Sequence, residues 1–234
     1  MTAKTIISYL DDFAHLFFPH NCAGCGTNIL ENKAVLCAAC LEQLPETGFI
    51  PSPGNHMEKI FYGRMQVEHA ASAFYFTKDS LMHHLMIELK YHGNKEIGFF
   101  CGKLLGLKLA AAARYKNIEI IVPLPLNEKK EKRRGYNQAT LITKGIAEVW
   151  NKPIAEYAMG RSIFTQTQTH KDRVGRWQNM EGVFTVDDQD LLRNKHVLLI
   201  DDVITTGATL EACGMELLKV EGTKLSIATV AYTL

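Results

Sequence analysis

An apolar run that leads directly into acids, threonines and a glycine is the most chemically informative stretch of the sequence. Val197–Ile200 is followed by Asp201 and Asp202 and then by a small polar turn containing Gly207. Backbone N–H groups and hydroxyls at the start of a helix bind anions, and glycine lets a phosphate approach the backbone closely. The pattern predicts a phosphate cradle, with the acids placed to bind the hydroxyls of a ribose. The residues of the cradle are Thr205, Thr206, Gly207, Ala208 and Thr209.

An N-capped helix after a strand would explain part of this pattern without any ligand. A cap needs only one small polar residue, whereas this stretch combines two acids, three threonines and a glycine. The GxxxxGK[ST] pattern of nucleoside triphosphate loops is absent from it, and the acids precede the turn. A phosphate-binding turn of another kind is therefore favoured.

Four of the six cysteines form two pairs with the spacing C-x2-C-x11-C-x2-C. Two such turns place four thiolates around one zinc ion and leave no position open for catalysis. A thioredoxin-like redox motif would need one pair in a βαβ context, which this region lacks. An iron–sulfur cluster is not rejected by spacing alone. The pattern predicts a structural zinc site at Cys22, Cys25, Cys37 and Cys40.

Two further features have both a functional and an ordinary interpretation. Pro123, Leu124 and Pro125 follow a short apolar run, and their rigid backbone either aims N–H groups at an anion or simply ends a strand. Lys90 ends an amphipathic helical pattern. Its charge either reaches a ligand or interacts with the helix dipole.

The run Lys129–Arg134 is strongly basic. On composition alone it is a solvated charged loop, but its place directly after Pro125 favours anion binding, with Arg133 and Arg134 as the better ligands. Asn137 is the expected N-cap of the helix that follows.

The segment Arg161–Trp177 is polar and turn-prone. It is either an exposed hairpin or a mobile lid. The side chains assigned to the lid are Thr167, Gln168, Arg173 and Arg176.

The elements that must position these residues alternate between strands and helices. Strands are predicted at Ala70–Phe76, Ile118–Val122, Val197–Ile200 and Leu225–Val230, and helices at Ser80–Lys90, Glu96–Arg114, Asn137–Trp150 and Ala208–Val220. This alternation predicts an α/β fold with a Rossmann-like parallel sheet flanked by helices on both faces.

Proline and glycine concentrate between Leu44 and Gly54, which is linker chemistry. We expect an N-terminal helix and zinc-ribbon-like module over residues 1–54 and a larger domain over residues 55–234. The N-terminal helix is expected from apolar residues at helical spacing before Pro19, and it needs no chemical role.

The composition is that of an ordinary globular protein, with 234 residues, 47% hydrophobic residues and a net charge of +1. This near-neutral balance gives no global reason to expect nucleic acid or membrane partners. No apolar stretch is long enough for membrane insertion or reads as a secretory signal. A cytoplasmic location is expected, where thiols stay reduced.

Val197–Thr209 resembles the signature of type I phosphoribosyltransferases, in which an apolar strand, two acids and a threonine-glycine loop follow one another. The chain is more narrowly similar to the ComF/GntX family over roughly residues 18–234. The supporting stretches are the four cysteines, Leu89–Gly93, Val122–Leu126, Arg134–Gln138, and Thr167–Thr169 with Arg173, Arg176 and Asn179. One departure is Asn127–Arg133, where lysines stand in place of several arginines of the family.

The resemblance implies a type I phosphoribosyltransferase fold that binds phosphoribosyl pyrophosphate with Mg²⁺. It also implies that Pro123–Pro125 is the pyrophosphate loop and that a closing lid protects the reacting ribose. The implied catalytic residues are Asp201, Asp202, Lys90, Arg133 and Arg134.

Two classes of function remain open at this point. One is transfer of phosphoribosyl to an unknown acceptor. The other is a non-catalytic module that binds a nucleotide or DNA. The family resemblance implies a role in competence and DNA uptake, with single-stranded DNA and a helicase-type protein as possible partners.

Overall fold

Four apolar stretches form one parallel sheet, because each is apolar enough to be buried on both faces. The computed structural model describes residues 20–28, 34–161 and 183–234, and the predicted N-terminal helix lies outside them. In chain order the strands are β1 (His69–Phe76), β2 (Ile120–Pro123), β3 (Met159–Arg161), β4 (Phe184–Val186), β5 (His196–Ile204) and β6 (Lys224–Thr233). The parallel sheet has the order β1-β6-β5-β2, while β3 and β4 pair antiparallel. The predicted α/β architecture is confirmed.

Several of the helices begin at polar caps. The helices are α1 (Ala38–Glu42), α2 (His56–Phe61), α3 (Leu81–Tyr91), α4 (Lys95–Ala111), α5 (Glu128–Arg134), α6 (Gln138–Trp150), α7 (Gln189–Leu192) and α8 (Ala208–Leu217), with a 3-10 turn at Ala113–Tyr115. Ser80 caps α3 by accepting the N–H of His83, and Asn137 caps α6 by accepting the N–H of Ala139. None of the helices in the described ranges is long and apolar enough to cross a membrane.

Glycines bring α4 and α6 into backbone contact. A Cβ atom on Gly102 would overlap the carbonyl oxygen of Ile142, and one on Gly145 would overlap the carbonyl oxygen of Phe99. The two helices therefore cross with no side chain between them at this point. This close crossing fixes the start of α6, which borders the site described below.

The chain divides into two compact units, residues 1–44 and 45–234. The sequence instead predicts the boundary after Gly54. The segment from Pro45 belongs to the second unit because it is tied to β1. The N–H of Thr47 donates to the carbonyl of Ala73 at 3.0 Å, and the N–H of Tyr75 donates to the carbonyl of Pro45 at 2.7 Å.

Candidate functional site

The carboxyl edge of the sheet has a step between β5 and β2. Strand β2 pairs with β5 only as far as Pro123 opposite Ile200, whereas β6 follows β5 as far as Ile204. The end of β5 therefore has no β2 neighbour, and Asp201 and Asp202 lie on this step. The sequence predicts a strand over Val197–Ile200 that leads directly into the acids; the ladder to β6 continues the strand through both acids as far as Ile204.

The two acids have different partners, because successive residues of a strand face opposite sides of the sheet. The ammonium group of Lys90, in the last turn of α3, donates to Oδ1 of Asp202 at 3.0 Å, and Asp202 is only 8% exposed. Oδ1 of Asp201 accepts the N–H of Asp202 at 2.8 Å. The sequence leaves two interpretations of Lys90 open, a ligand contact or a charge that interacts with the helix dipole. The structure places its ammonium group beside the acids.

Burial and the negative charge of Asp202 raise the pKa of Asp201 to about 8, although the positive charges of Lys90 and Arg161 oppose the rise. Burial lowers the pKa of the Arg161 guanidinium, and the negative charge of Asp201 opposes that change. At the step, burial removes water from these side chains, so the acidic and basic groups influence the pKa values of one another.

The predicted phosphate cradle directly follows β5. Helix α8 begins at Ala208, as the sequence predicts, and the N–H of Ala208 lies 3.5 Å from the hydroxyl oxygen of Thr206. The first N–H groups of a helix have no partner within the helix. A small cleft of about 40 Å³ is lined by Asp201, by residues 203–206 and by the first turn of α8 with Gly207. Thr205, Thr206, Gly207, Ala208 and Thr209 are therefore brought together around one opening.

Gly207 has two structural reasons to be glycine. Its φ angle is +77°, in the left-handed region that favours glycine. A Cβ atom there would lie 2.7 Å from Cγ2 of Ile60, at the end of α2. The cradle is therefore held against α2, a contact that the sequence does not predict.

Pro123, Leu124 and Pro125 lie at the end of β2, across the step from the acids. The side-chain amide of Asn137 donates to the carbonyl of Leu124 at 2.9 Å. The guanidinium of Arg161 lies 3.4 Å from the carbonyl oxygen of Pro125. Side-chain donors therefore occupy the carbonyl oxygens of Leu124 and Pro125.

The basic run, which composition alone makes a solvated charged loop, is a helix. Helix α5 is capped at its start by Asn127, whose side chain accepts the N–H of Lys129, and at its end by Gly135 with φ +80°. Acids in its first turn and bases in its last turn also complement the helix dipole. No residue of α5 is buried. The guanidinium of Arg134 lies over the ring of Tyr91, 5.9 Å from its centroid.

Arg161 and Arg64 are site residues that sequence analysis did not single out. Arg161 ends β3, and its guanidinium lies over the ring of Phe184 at 5.0 Å. Its position directly after the apolar stretch Ala158–Gly160 is only a weak indication in the sequence that Arg161 belongs to the site. Arg64 contacts the cradle from the turn after α2, and no sequence pattern marks it.

The predicted lid residues Thr167, Gln168, Arg173 and Arg176 lie outside the described residues. The chain on either side is held together, because Arg161 pairs with Phe184 in the antiparallel β3–β4 ladder.

The four cysteines of the first unit converge, as predicted. Their sulfur atoms all lie within 4.8 Å of one another, and those of Cys25 and Cys37 are 3.7 Å apart. A tetrahedral Zn–S₄ centre with bonds of about 2.3 Å needs sulfur–sulfur distances of about 3.8 Å. The donor set therefore fits zinc.

Backbone groups fix the two cysteine pairs. The N–H of Cys22 donates to the carbonyl of Thr27 at 2.8 Å, and Gly26, with φ +72°, completes the turn. The N–H of Cys37 lies 3.2 Å from the sulfur of Cys22. Hydrogen bonding from Thr27 lowers the pKa of the Cys25 thiol to about 6, whereas burial raises the pKa of Cys40 to about 12, so Cys25 forms the thiolate that a metal requires more readily than Cys40 does.

A family model described as the phosphoribosyl transferase domain matches residues 140–234. Competence protein F of Haemophilus influenzae is 27% identical over 83% of this chain and 89% of that protein. The DNA utilization protein YhgH of Escherichia coli is 28% identical over 58% of this chain and 60% of that protein. Competence protein ComFC of Bacillus subtilis is 24% identical over 58% of this chain and 52% of that protein. The chain is thus similar to phosphoribosyltransferase-like proteins of the ComF family.

The part of this chain that matches the phosphoribosyl transferase domain runs from α6 to β6 and so includes the acids and the cradle. Among solved structures, the glutamine phosphoribosylpyrophosphate amidotransferase of Bacillus subtilis is similar, with a TM-score of 0.41 and 15% identity over 57% of this chain and 26% of that chain.

Proposed function

We propose that the carboxyl edge of the sheet binds phosphoribosyl pyrophosphate together with Mg²⁺. Asp201 and Asp202 bind the ribose hydroxyls, Thr205–Thr209 binds the 5′-phosphate, and Pro123–Pro125 faces the pyrophosphate. The observation that carries the proposal is the stepped edge, where two acids at the end of β5 lead directly into the first turn of α8. The phosphoribosyl transferase domain match over residues 140–234 supports it.

The reaction proposed for this site transfers phosphoribosyl to an acceptor. The bond between C1 of the ribose and the pyrophosphate oxygen breaks, and the electron pair leaves with pyrophosphate. A lone pair of the acceptor forms the new bond to C1, and the acceptor then loses a proton. Lys90, Arg133 and Arg134 offset the charge that develops on the leaving pyrophosphate. Arg161 borders the same loop and adds a further cation.

Mg²⁺, when bound with the substrate beside Asp201 and Asp202, would supply positive charge to the leaving group. The oxygen-rich acids fit a magnesium-bound substrate better than a soft metal. Thr167, Gln168, Arg173 and Arg176 are proposed to cover the reacting ribose and exclude water.

The first unit is proposed to bind zinc structurally at Cys22, Cys25, Cys37 and Cys40. The support is the convergence of all four sulfur atoms within 4.8 Å, which leaves no ligand position for a substrate. Reduced thiols of this kind also support a cytoplasmic location.

Calorimetric titration of phosphoribosyl pyrophosphate, with and without Mg²⁺, tests the binding proposal. We expect Mg²⁺-dependent binding that is lost in the Asp201→Asn/Asp202→Asn double variant. The matched control is Asp190→Asn, because the Asp190 side chain is 93% exposed and pairs only with Arg193 among the residues that the structure describes. Failure of the folded wild-type protein to bind would overturn the proposal.

Turnover is tested separately by incubating the bound complex with a panel of nucleobases and measuring released pyrophosphate. Release that depends on one base identifies the acceptor class. Tight binding without release for any acceptor would favour the second class of function, a nucleotide-binding module on the same fold.

A DNA-binding role is a second candidate, favoured by one specific observation. Helix α5 presents five basic residues and buries none of its side chains, and relatives carry the names competence protein and DNA utilization protein. Neutralising Lys129, Lys130 and Lys132 should weaken binding of a single-stranded oligonucleotide and flatten its salt dependence. Binding that is absent, or indifferent to salt, would exclude this role. A helicase-type protein is proposed as a partner only if the chain binds DNA.

A further inference from the structure

Arg64 connects the turn after α2 to the phosphate cradle. Its Nη1 atom lies 3.1 Å from the carbonyl oxygen of Ile60 and 3.3 Å from that of Thr206. Its Nη2 atom forms an ion pair with Glu211, in the first turn of α8. The guanidinium of Arg64 therefore contacts three elements, which are the end of α2, the cradle and the first turn of α8.

The contact with Thr206 constrains the direction of the next N–H group. In a trans peptide the carbonyl and the following N–H point in opposite directions, and the described residues contain no cis peptide bond. Because Arg64 holds the carbonyl of Thr206 on its own side, the N–H of Gly207 is directed away from the guanidinium. Gly207 itself is held against Ile60, from the same turn as Arg64.

Arg64 is itself held in place before any ligand arrives. Its backbone N–H donates to the carbonyl of Phe61 at 3.0 Å, which closes the turn after α2. Glu211 balances its charge, and the side chains of Arg64 and Glu211 are 30% and 15% exposed. Arg64 therefore acts on the cradle through the Thr206 carbonyl and α8. Its positive charge is already paired with Glu211.

We propose that Arg64 is a positioning residue that fixes the N–H groups of the cradle for the 5′-phosphate. The inference rests on the proposed function, because it assumes that the cradle receives the phosphate end of phosphoribosyl pyrophosphate. Among the described residues, the side-chain hydrogen bonds and ion pair of Arg64 go to Ile60, Thr206 and Glu211, and none goes to Pro123–Pro125. Its loss should therefore affect the phosphate end of the ligand and spare the pyrophosphate end.

The experiment compares Arg64→Ala and Arg64→Lys with Arg193→Ala in the full chain. Arg193 is a matched control because it too is an arginine held by ion pairs, with Glu221 at 3.0 Å and Asp190 at 3.3 Å. Calorimetry with Mg²⁺ measures binding of ribose 5-phosphate and of pyrophosphate as separate probes. Hydrogen exchange of the peptide spanning residues 205–211 measures the order of the cradle without ligand, and exchange in β6 reports whether the core is intact.

We expect Arg64→Ala to weaken ribose 5-phosphate binding by about tenfold or more and to leave pyrophosphate binding unchanged. Exchange in the cradle should rise while exchange in β6 does not. Arg64→Lys should restore part of the affinity, and Arg193→Ala should behave as wild type.

Equal weakening of both probes, or no change in either binding or exchange, would overturn the positioning role. If the wild-type protein binds neither probe, the proposed function has failed. In that case the exchange measurement alone decides whether Arg64 orders the cradle.

Discussion

Replacing Lys90 by methionine should destabilise the second unit, because the carboxylate of Asp202 would lose its cation. The side chains of Lys90 and Asp202 are 23% and 12% exposed, so the pair is largely but not fully desolvated. Removing one partner of a fully buried pair costs about 3–5 kcal/mol, whereas an exposed pair contributes at most about 1 kcal/mol. We expect a loss of about 2 kcal/mol in the free energy of unfolding.

A double-mutant cycle separates this effect from lost packing of the lysine stem. The free energies of unfolding of Lys90→Met, Asp202→Asn and the double variant are measured by urea denaturation at pH 7, followed by circular dichroism. Asp202→Asn alone should cost less, because the ammonium of Lys90 can turn toward water. The double variant should then be more stable than the sum of the single losses predicts by about 1 kcal/mol.

Lys129→Met is the matched control, since Lys129 is an exposed lysine of α5. It should change stability by less than about 0.5 kcal/mol. The reasoning is refuted if Lys90→Met is no more harmful than this control. It is also refuted if the two single effects add within about 0.5 kcal/mol, because the charges would then not depend on each other.

Three further outcomes are expected. Gly102→Ala should destabilise the protein by at least about 2 kcal/mol in urea denaturation, because its Cβ meets backbone of α6 that cannot move aside. Metal analysis should find about one zinc per chain and a loss of zinc in Cys37→Ser. Asp201→Asn should gain stability relative to wild type as pH rises. The folded protein retains a proton on Asp201 up to a pKa of about 8, against an ordinary value of 3.8. Wild-type stability therefore falls across this window, at a rate of up to about 1.4 kcal/mol per pH unit.

Each of these outcomes has a control or a contradicting result. Gly98→Ala on the same helix should cost less than Gly102→Ala, because its Cβ meets only side-chain atoms of Leu89 at 3.0 Å and Leu141 at 3.1 Å. Cys101→Ala should retain zinc, since Cys101 is buried in α4 outside the cluster. A pH-independent difference between Asp201→Asn and wild type would show that Asp201 is already ionised at low pH.

Local signals predicted much of the fold. Apolar runs predicted the parallel strands, since a strand covered on both faces has no polar alternation. Asn137 predicted the start of α6, because its side-chain oxygen satisfies an N–H that the helix leaves unpaired. The cysteine spacing predicted the convergence of the four sulfur atoms. These features depend on residues that are close together along the chain.

Features that depend on distant residues were not predicted. The strand continues through Asp202 only because β6 supplies a ladder as far as Ile204. Arg64 contacts Thr206, which is 142 positions away in the sequence, and the residues next to Arg64 in the sequence do not predict that contact. Composition alone makes helix α5 a charged loop because it has no apolar face; its ends, and not its packing, make it helical.

The backbone contact between α4 and α6 has a mechanical consequence for the site. Side chains between helices can change rotamer and let the helices slide, whereas two backbones in contact have no such freedom. Gly102 lies against the backbone of Ile142, and Gly145 lies against that of Phe99, so the two helices form one rigid unit, a helix pair that acts as a strut. Asn137 ties the carbonyl of Leu124 to the end of that strut. Any motion that accompanies ligand binding must therefore arise elsewhere along the edge, while Leu124 stays a fixed point of reference.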